Sequence, residues 1–299
     1  MVTLIAICAV ITLFAGPAWL GIRGWLRARR DLPSSASAAW DWTRVFVSAL
    51  LYTLAFNLTF FVQELFLVLP KALTPGLHPT LFHNNHRWEG QHELASLFQG
   101  TGALATALVG LACLLVVRGT ATNSMQFRLG LLWMAYCGLF MALPQVVIGA
   151  LSSGSDVGMA MEYLQWSPAV KTVAALLALI AMPLLALAMV RPALALAEAD
   201  GEIATARARA SVMLQFVVLP AVIGTALVIP FRVPRELIEV VLLPVLVMLV
   251  GVPWMLAGAW RVRDAVASGR RVESFVLPLL AAIALLLVFQ LLLRPGVEF

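Results

Sequence analysis

The sequence predicts an all-α fold: a polytopic membrane helix bundle of about eight transmembrane helices, on three observations. Hydrophobic residues fill 62% of the 299 positions and charged residues only 12%, whereas about a quarter of a soluble domain is charged. Eight apolar runs are each long enough to cross a hydrocarbon layer, which takes about 20 residues of helix. Basic residues gather in alternate connections, as the positive-inside rule requires of a multi-pass chain. Residues 1–299 read as one transmembrane domain with both termini extracytoplasmic, and 71–94 as an extracytoplasmic His-rich loop.

The first run, 2–22, carries no charge before it and is followed at once by Arg23, Arg27, Arg29 and Arg30. A secretory signal has the opposite order, so the run reads as a retained span with its leading end outside. The second, 45–70, follows Arg44 and sets Thr53, Asn57, Glu64 and Lys71 at spacings of four, seven and seven, which share one helix face. Glu64 lies six residues before Pro70, about 9 Å below the outer end at roughly 1.5 Å per residue. An ionisable group at that depth faces the bundle interior or a wet cavity and marks a functional candidate. Gln63, its neighbour, is expected to point elsewhere.

The third run, 95–117, repeats the pattern with Ser96, Gln99, Ala103 and Thr106, and its Gly100 and Gly102 suit close helix packing. The fourth, 129–151, places Gln145 beside Pro144 in its outer third, and Ser152, Ser153 and Ser155 then read as a flexible turn. Glu162, Tyr163 and Trp166 are expected to border the same outer cavity, and Ser167-Pro168 is a cap and first residue for the run 169–190. Residues 198–211 mix acids and bases and read as a solvated helical extension leading into 211–231. Only Arg232-Val-Pro-Arg235 separates that run from 236–259, and 274–293 is the last. Pro183, Pro220, Pro244, Pro253 and Pro278 fall inside these later runs, where proline frees a carbonyl and permits a kink.

The cytoplasmic loops are those carrying Arg44, then Arg118 and Arg128, then Arg191, Arg207 and Arg209, then Arg261, Arg263, Arg270 and Arg271. Lys71, Arg87, Lys171, Arg232, Arg235 and Arg294 sit on the other side. Basic residues beside helix ends are topology signals and form no dense patch, so the net charge of +5 does not indicate nucleic acid. Cys8, Cys113 and Cys137 all lie in spans without CxxC spacing, which suggests neither disulfides nor a thiolate metal site. Eighteen arginines against two lysines, with heavy Ala and Leu use, suggest a GC-rich bacterial genome and hence a bacterial inner membrane.

All four histidines, His78, His83, His86 and His92, fall within fifteen positions between the second and third runs. Pro79, Asn84-Asn85 and Gly90 interrupt helix there, so the loop reads as an ordered excursion without regular structure. Leu81, Phe82 and Trp88 suit the interfacial zone. Were residues 82–93 helical, His83, His86 and Glu93 would share a face with Glu89 close by. His83 and His86 with His92 or Glu93 would then form a ligand set for a divalent metal, suited best to zinc and also to iron or copper. The spacing matches no strong zinc signature, and Walker and GxSxG motifs are absent from the sequence.

Two functions follow from these residues. In one, the protein is a metal-dependent membrane hydrolase acting on a lipid or peptide from the outer leaflet, with Glu64 or Glu89 taking the proton and Asn57, Trp88, Gln99 and Gln145 lining the substrate. In the other, it is a transporter or a membrane subunit assembled with protein partners, in which Glu64 is a proton or cation site and the histidine loop its gate.

Overall fold

A computed structural model describes residues 2–29, 40–119, 124–262 and 264–299; Arg30 and Arg263, two of the expected topology signals, lie outside them. Among the described residues, eight helices are long and apolar enough to cross a membrane. They are α1 (Val2–Ala28), α2 (Trp42–Ala72), α3 (Ala95–Gly119), α4 (Met125–Leu151), α6 (Pro168–Leu194), α7 (Ala206–Arg232), α8 (Leu237–Ala259) and α9 (Val276–Leu293). A short helix, α5 (Asp156–Tyr163), sits between α4 and α6. Several helices run past their apolar stretch into the arginine-bearing flank, because a long basic side chain keeps its stem on the helix while its charge reaches polar surroundings. Arg27, Arg118 and Arg191 all fall in such last turns, where a cation also meets the negative end of the helix dipole.

Helix starts are set by short polar side chains that take up unpaired backbone N–H groups. Asp41, Ser124, Ser155, Ser167 and Thr205 cap α2, α4, α5, α6 and α7 through Thr43, Phe127, Gly158, Val170 and Ala208 respectively. The Ser167-Pro168 start is as expected, and the serines expected to make a turn do so over residues 152–155, the last of them also capping α5.

The second and fourth helices form the centre of the bundle, and α1 and α9 present most of their surface outward. Tyr52, Trp133, Tyr136 and Phe140 pack edge-to-face and tilted as an aromatic column between α2 and α4. Its polar tips are satisfied within the protein, as a low-dielectric interior demands: Trp133 donates to Ser48 Oγ at 2.9 Å and Tyr136 to the Val247 carbonyl at 2.7 Å. Gly138 and Gly110 let α3 and α4 touch backbone to backbone; a Cβ on Gly138 would lie 2.6 Å from the Thr106 carbonyl oxygen. Gly102 of the expected packing pair does the same against α2, 2.8 Å from the Gln63 carbonyl.

The two ends of the bundle are chemically unlike. At the end where α2 begins, Arg44 is buried and pairs with Glu198 at 2.7 Å and Glu202 at 2.9 Å, and Arg209 is buried against backbone carbonyls. Residues 198–211 are helical from Ala206 onward and keep Asp200 and Arg207 exposed, as expected of a solvated extension, but Glu198 and Glu202 turn inward to neutralise a buried arginine. At the other end the loop between α2 and α3 forms an antiparallel hairpin of β1 (His78–Leu81) and β2 (His86–Glu89), with Leu81 opposite His86. A third strand, β3 (Val297–Glu298), pairs with β1 on its free edge, so the residues after α9 lie at the hairpin end.

Candidate functional site

The expected polar face of α2 is real: Thr53, Asn57, Glu64 and Lys71 are all buried. Toward its C-terminal end this face meets the hairpin. His86 Nδ1 lies 2.8 Å from Glu64 Oε2, and the two side chains are only 9% and 7% exposed. A carboxylate accepts, so Nδ1 carries the proton in this contact and Nε2 is left as the basic nitrogen of the neutral ring. Nε2 is buried and has no hydrogen-bond partner among the described residues. The Oε1 of Gln99, on α3, is also buried and without a hydrogen-bond partner among the described residues.

Strand alternation explains which loop residues reach the site. In β2, positions 86 and 88 point to one face and 87 and 89 to the other. His86 and Trp88 turn toward the bundle and stack with ring centroids 5.9 Å apart and planes within 13°. Lys71 Nζ lies 4.6 Å from the Trp88 ring centroid and donates to the Leu67 carbonyl at 2.7 Å. Trp88 thus bridges the imidazole and the ammonium, its face favouring the cation.

Around this core stand two further charges. Asp156, the first residue of α5, is half-buried; desolvation and then the neighbouring Glu64 carboxylate hold its carboxyl above the usual carboxylate range, partly offset by His86 and Lys71. Arg232, at the end of α7, feels the Glu64 charge and lies 4.5 Å from the Phe60 ring centroid, with Nε and Nη1 buried and unpaired among the described residues. The centre therefore joins α2, the hairpin, α5 and α7.

The tip of the hairpin is fixed separately. His83 Nε2 donates to the Val233 carbonyl at 3.1 Å, Asn84 Nδ2 donates to the Arg232 carbonyl at 2.8 Å, and Arg235 donates back to the Asn84 carbonyl. Burial, reinforced by Arg294, Arg232 and Arg235, pushes the proton affinity of His83 below the ordinary imidazole value even though the Val233 bond opposes the shift.

The expected ligand set is dispersed by this geometry. His83 faces the α7–α8 turn, His86 faces Glu64, and His92 and Glu93 are exposed, with His92 Nδ1 accepting from the Leu94 amide. The shared face of His83, His86 and Glu93 required a helix, and a hairpin stands there instead. Among the described residues no group of three or more His, Cys, Asp and Glu is arranged to hold a metal ion. Glu89, expected beside the imidazoles, is exposed on the opposite face of β2 and pairs in register with His78.

Of the expected substrate-lining residues, Trp88 and Gln99 face this end of the bundle, while Asn57 donates to the Thr53 carbonyl of its own helix. Gln145 donates to Gln63 Oε1 at 2.8 Å, so these two amides tie α4 to α2. Asp156 and Arg232 were missed as site residues. The Ser155 cap with an acid in the following turn was the available signal for Asp156, whereas nothing local marks Arg232.

No family model matches the chain, and neither a curated protein nor a solved structure is significantly similar to it.

Proposed function

We propose that this multi-pass membrane protein performs a proton-linked function from the hairpin end, with His86 as the exchanging base, Glu64 as the carboxylate that orients it, and the hairpin as the gate. One observation carries the reading: the contact between Glu64 and His86 joins a transmembrane helix to the loop covering it, and it leaves Nε2 as the proton-accepting atom. A carboxylate holding Nδ1–H fixes both the tautomer and the ring orientation, which makes the opposite nitrogen a directed base. When Nε2 takes a proton, the imidazole becomes a cation facing the Glu64 carboxylate, the contact becomes an ion pair and the clasp tightens; when it gives the proton up, the clasp loosens. The arginine distribution supports an extracytoplasmic hairpin, so the exchange would occur with the outer compartment.

The test uses the full chain in liposomes loaded with a pH-sensitive dye, after an imposed pH step. Wild-type protein is expected to pass protons faster than empty liposomes do, and Glu64→Gln and His86→Gln to remove most of that flux. Wild-type flux equal to that of empty liposomes refutes the carrier reading.

The raised proton affinity of Asp156 near His86 favours a second reading. A carboxyl whose proton is favoured by burial, set beside a buried imidazole, can serve as the acid with the imidazole as the base in one reaction. In that case the substrate is a lipid or peptide arriving from the membrane, with Asp156 as acid and His86 as base. Mass-spectrometric analysis of membrane lipids and hydrophobic peptides incubated with the protein would then show a product that His86→Gln and Asp156→Asn both abolish. No product formed by wild type sinks that reading.

A further inference from the structure

We propose that the arginine-lined cavity at the end of the bundle opposite the hairpin binds a phosphate group, and that the phosphate is the headgroup of an anionic lipid. The cavity, about 480 Å³, is bounded by Arg23 and Arg27 of α1, Arg209 of α7, and Arg261 just beyond α8, with Trp19 and Trp260 as its aromatic walls. None of the described residues lining it is acidic. Arginines that served only to orient the chain could stand beside any helix end. Here three separate stretches of sequence bring four of them round one space.

Two of the four are placed for recognition by the fold itself. Arg209 is buried, and its guanidinium is fixed by the carbonyls of Ala259 at 3.0 Å and Ile203 at 2.9 Å. Arg23 lies 5.0 Å from the Trp19 ring centroid, which holds its side chain along the wall of the cavity. Arg23 and Arg27 are one turn apart on the same helix, a like-charge spacing that is unfavourable unless an anion sits between them and their surroundings. A planar guanidinium offers paired N–H donors that match phosphate oxygens, so a ring of arginines selects phosphate over a simple monovalent anion.

The neighbouring surface identifies the source of the phosphate. A second cavity, about 590 Å³ and largely apolar, lies between α1 and α8 and is bounded by Phe14, Ile22, Trp25, Leu249 and Leu256; Trp260 belongs to both cavities. A soluble phosphate would make no use of such a groove, whereas a phospholipid presents an acyl chain beside its headgroup. The close approach that forms this corner depends on Gly24, where a Cβ would lie 2.4 Å from Trp260 Cβ.

The experiment uses the full chain purified in detergent and stripped of lipid, with short-chain phosphatidic acid as the probe, phosphatidylcholine as the charge control and inorganic phosphate as the soluble arm. Native mass spectrometry is expected to show one retained phosphatidic acid, favoured over phosphatidylcholine and not displaced by excess inorganic phosphate. Arg27→Gln with Arg261→Gln should weaken it by about a hundredfold, roughly tenfold for each charge-assisted contact removed. Arg23→Gln, at an exposed position, gives the same comparison should the double variant not purify. Unchanged hydrogen exchange at the distant hairpin separates loss of the site from loss of the fold. Displacement by inorganic phosphate would keep the anion site and overturn the lipid. No saturable binding, or binding unaffected by these substitutions, overturns the proposal altogether.

Discussion

If the contact between Glu64 and His86 holds the hairpin down, weakening it in steps should release the hairpin in steps. Both side chains are less than a tenth exposed, so solvent screening takes little from the interaction. Glu64→Gln keeps an acceptor for Nδ1–H and loses only the charge assistance, about 1 kcal/mol, or roughly a fivefold rise in the open population. Glu64→Leu removes the acceptor and leaves both imidazole nitrogens buried and unpaired, about 3 kcal/mol, or roughly a hundredfold. Amide hydrogen exchange of the hairpin peptide in detergent reads this, because a two-stranded hairpin lifted off its support is only marginally stable and its ladder then exchanges. The exchange should rise in the order wild type, Gln, Leu, with no change in the central peptides of α4. Equal exchange in all three proteins, or a larger effect from Gln than from Leu, would refute the reasoning.

Other consequences follow from particular contacts. His83 is favoured neutral in the folded chain, so the unfolded chain binds more protons near the ordinary value of 6.5; the stabilisation is complete above that value and fades as pH falls below it. Exchange at the hairpin tip, corrected for intrinsic rates, should therefore increase on acidification in wild type and less so in His83→Gln. Asp156 has the opposite sign: its raised proton affinity means that the charged form opposes the fold as pH rises past the usual carboxylate range. Asp156→Asn should raise the thermal midpoint at neutral pH, with the gain shrinking in acid. Arg44→Ala leaves Glu198 and Glu202 without their buried partner and should cost about 3 kcal/mol, seen as a lower unfolding midpoint in detergent. Gly138→Ala forces α3 and α4 apart, since the new Cβ would meet backbone, and should cost about 1–3 kcal/mol in the same assay.

The parts of this protein legible in its sequence are those decided by one helix at a time. Run length gave all eight spans, and helical period put Thr53, Asn57, Glu64 and Lys71 on the buried side of α2. The hairpin was not legible, because each strand has four residues and its register is set by contacts with β3 and the α7–α8 turn, over 145 residues away in sequence. Helical geometry applied to that loop grouped His83 with His86; in the folded chain His83 sits in the turn and His86 in a strand, and they bond to different elements. Asp156 escaped for a related reason. Its place beside Glu64 and His86 depends on how α5 packs against α3 and α4, and no periodicity within eight residues reports that.

The pairing of β3 with β1 also orders events during synthesis. Glu64 and His86 are 22 residues apart and can meet as soon as α2 and the hairpin have emerged. The tip cannot settle until α7 and α8 present Arg232 and Val233, and the outer edge of β1 stays open until residues 297 and 298 arrive. Since chains emerge N-terminus first, the loop that covers the centre spends most of translation attached at one edge only. A chain arrested before α9 would have its imidazole and carboxylate in place beneath a half-fastened cover, which makes the last strand the timer of the site's maturation.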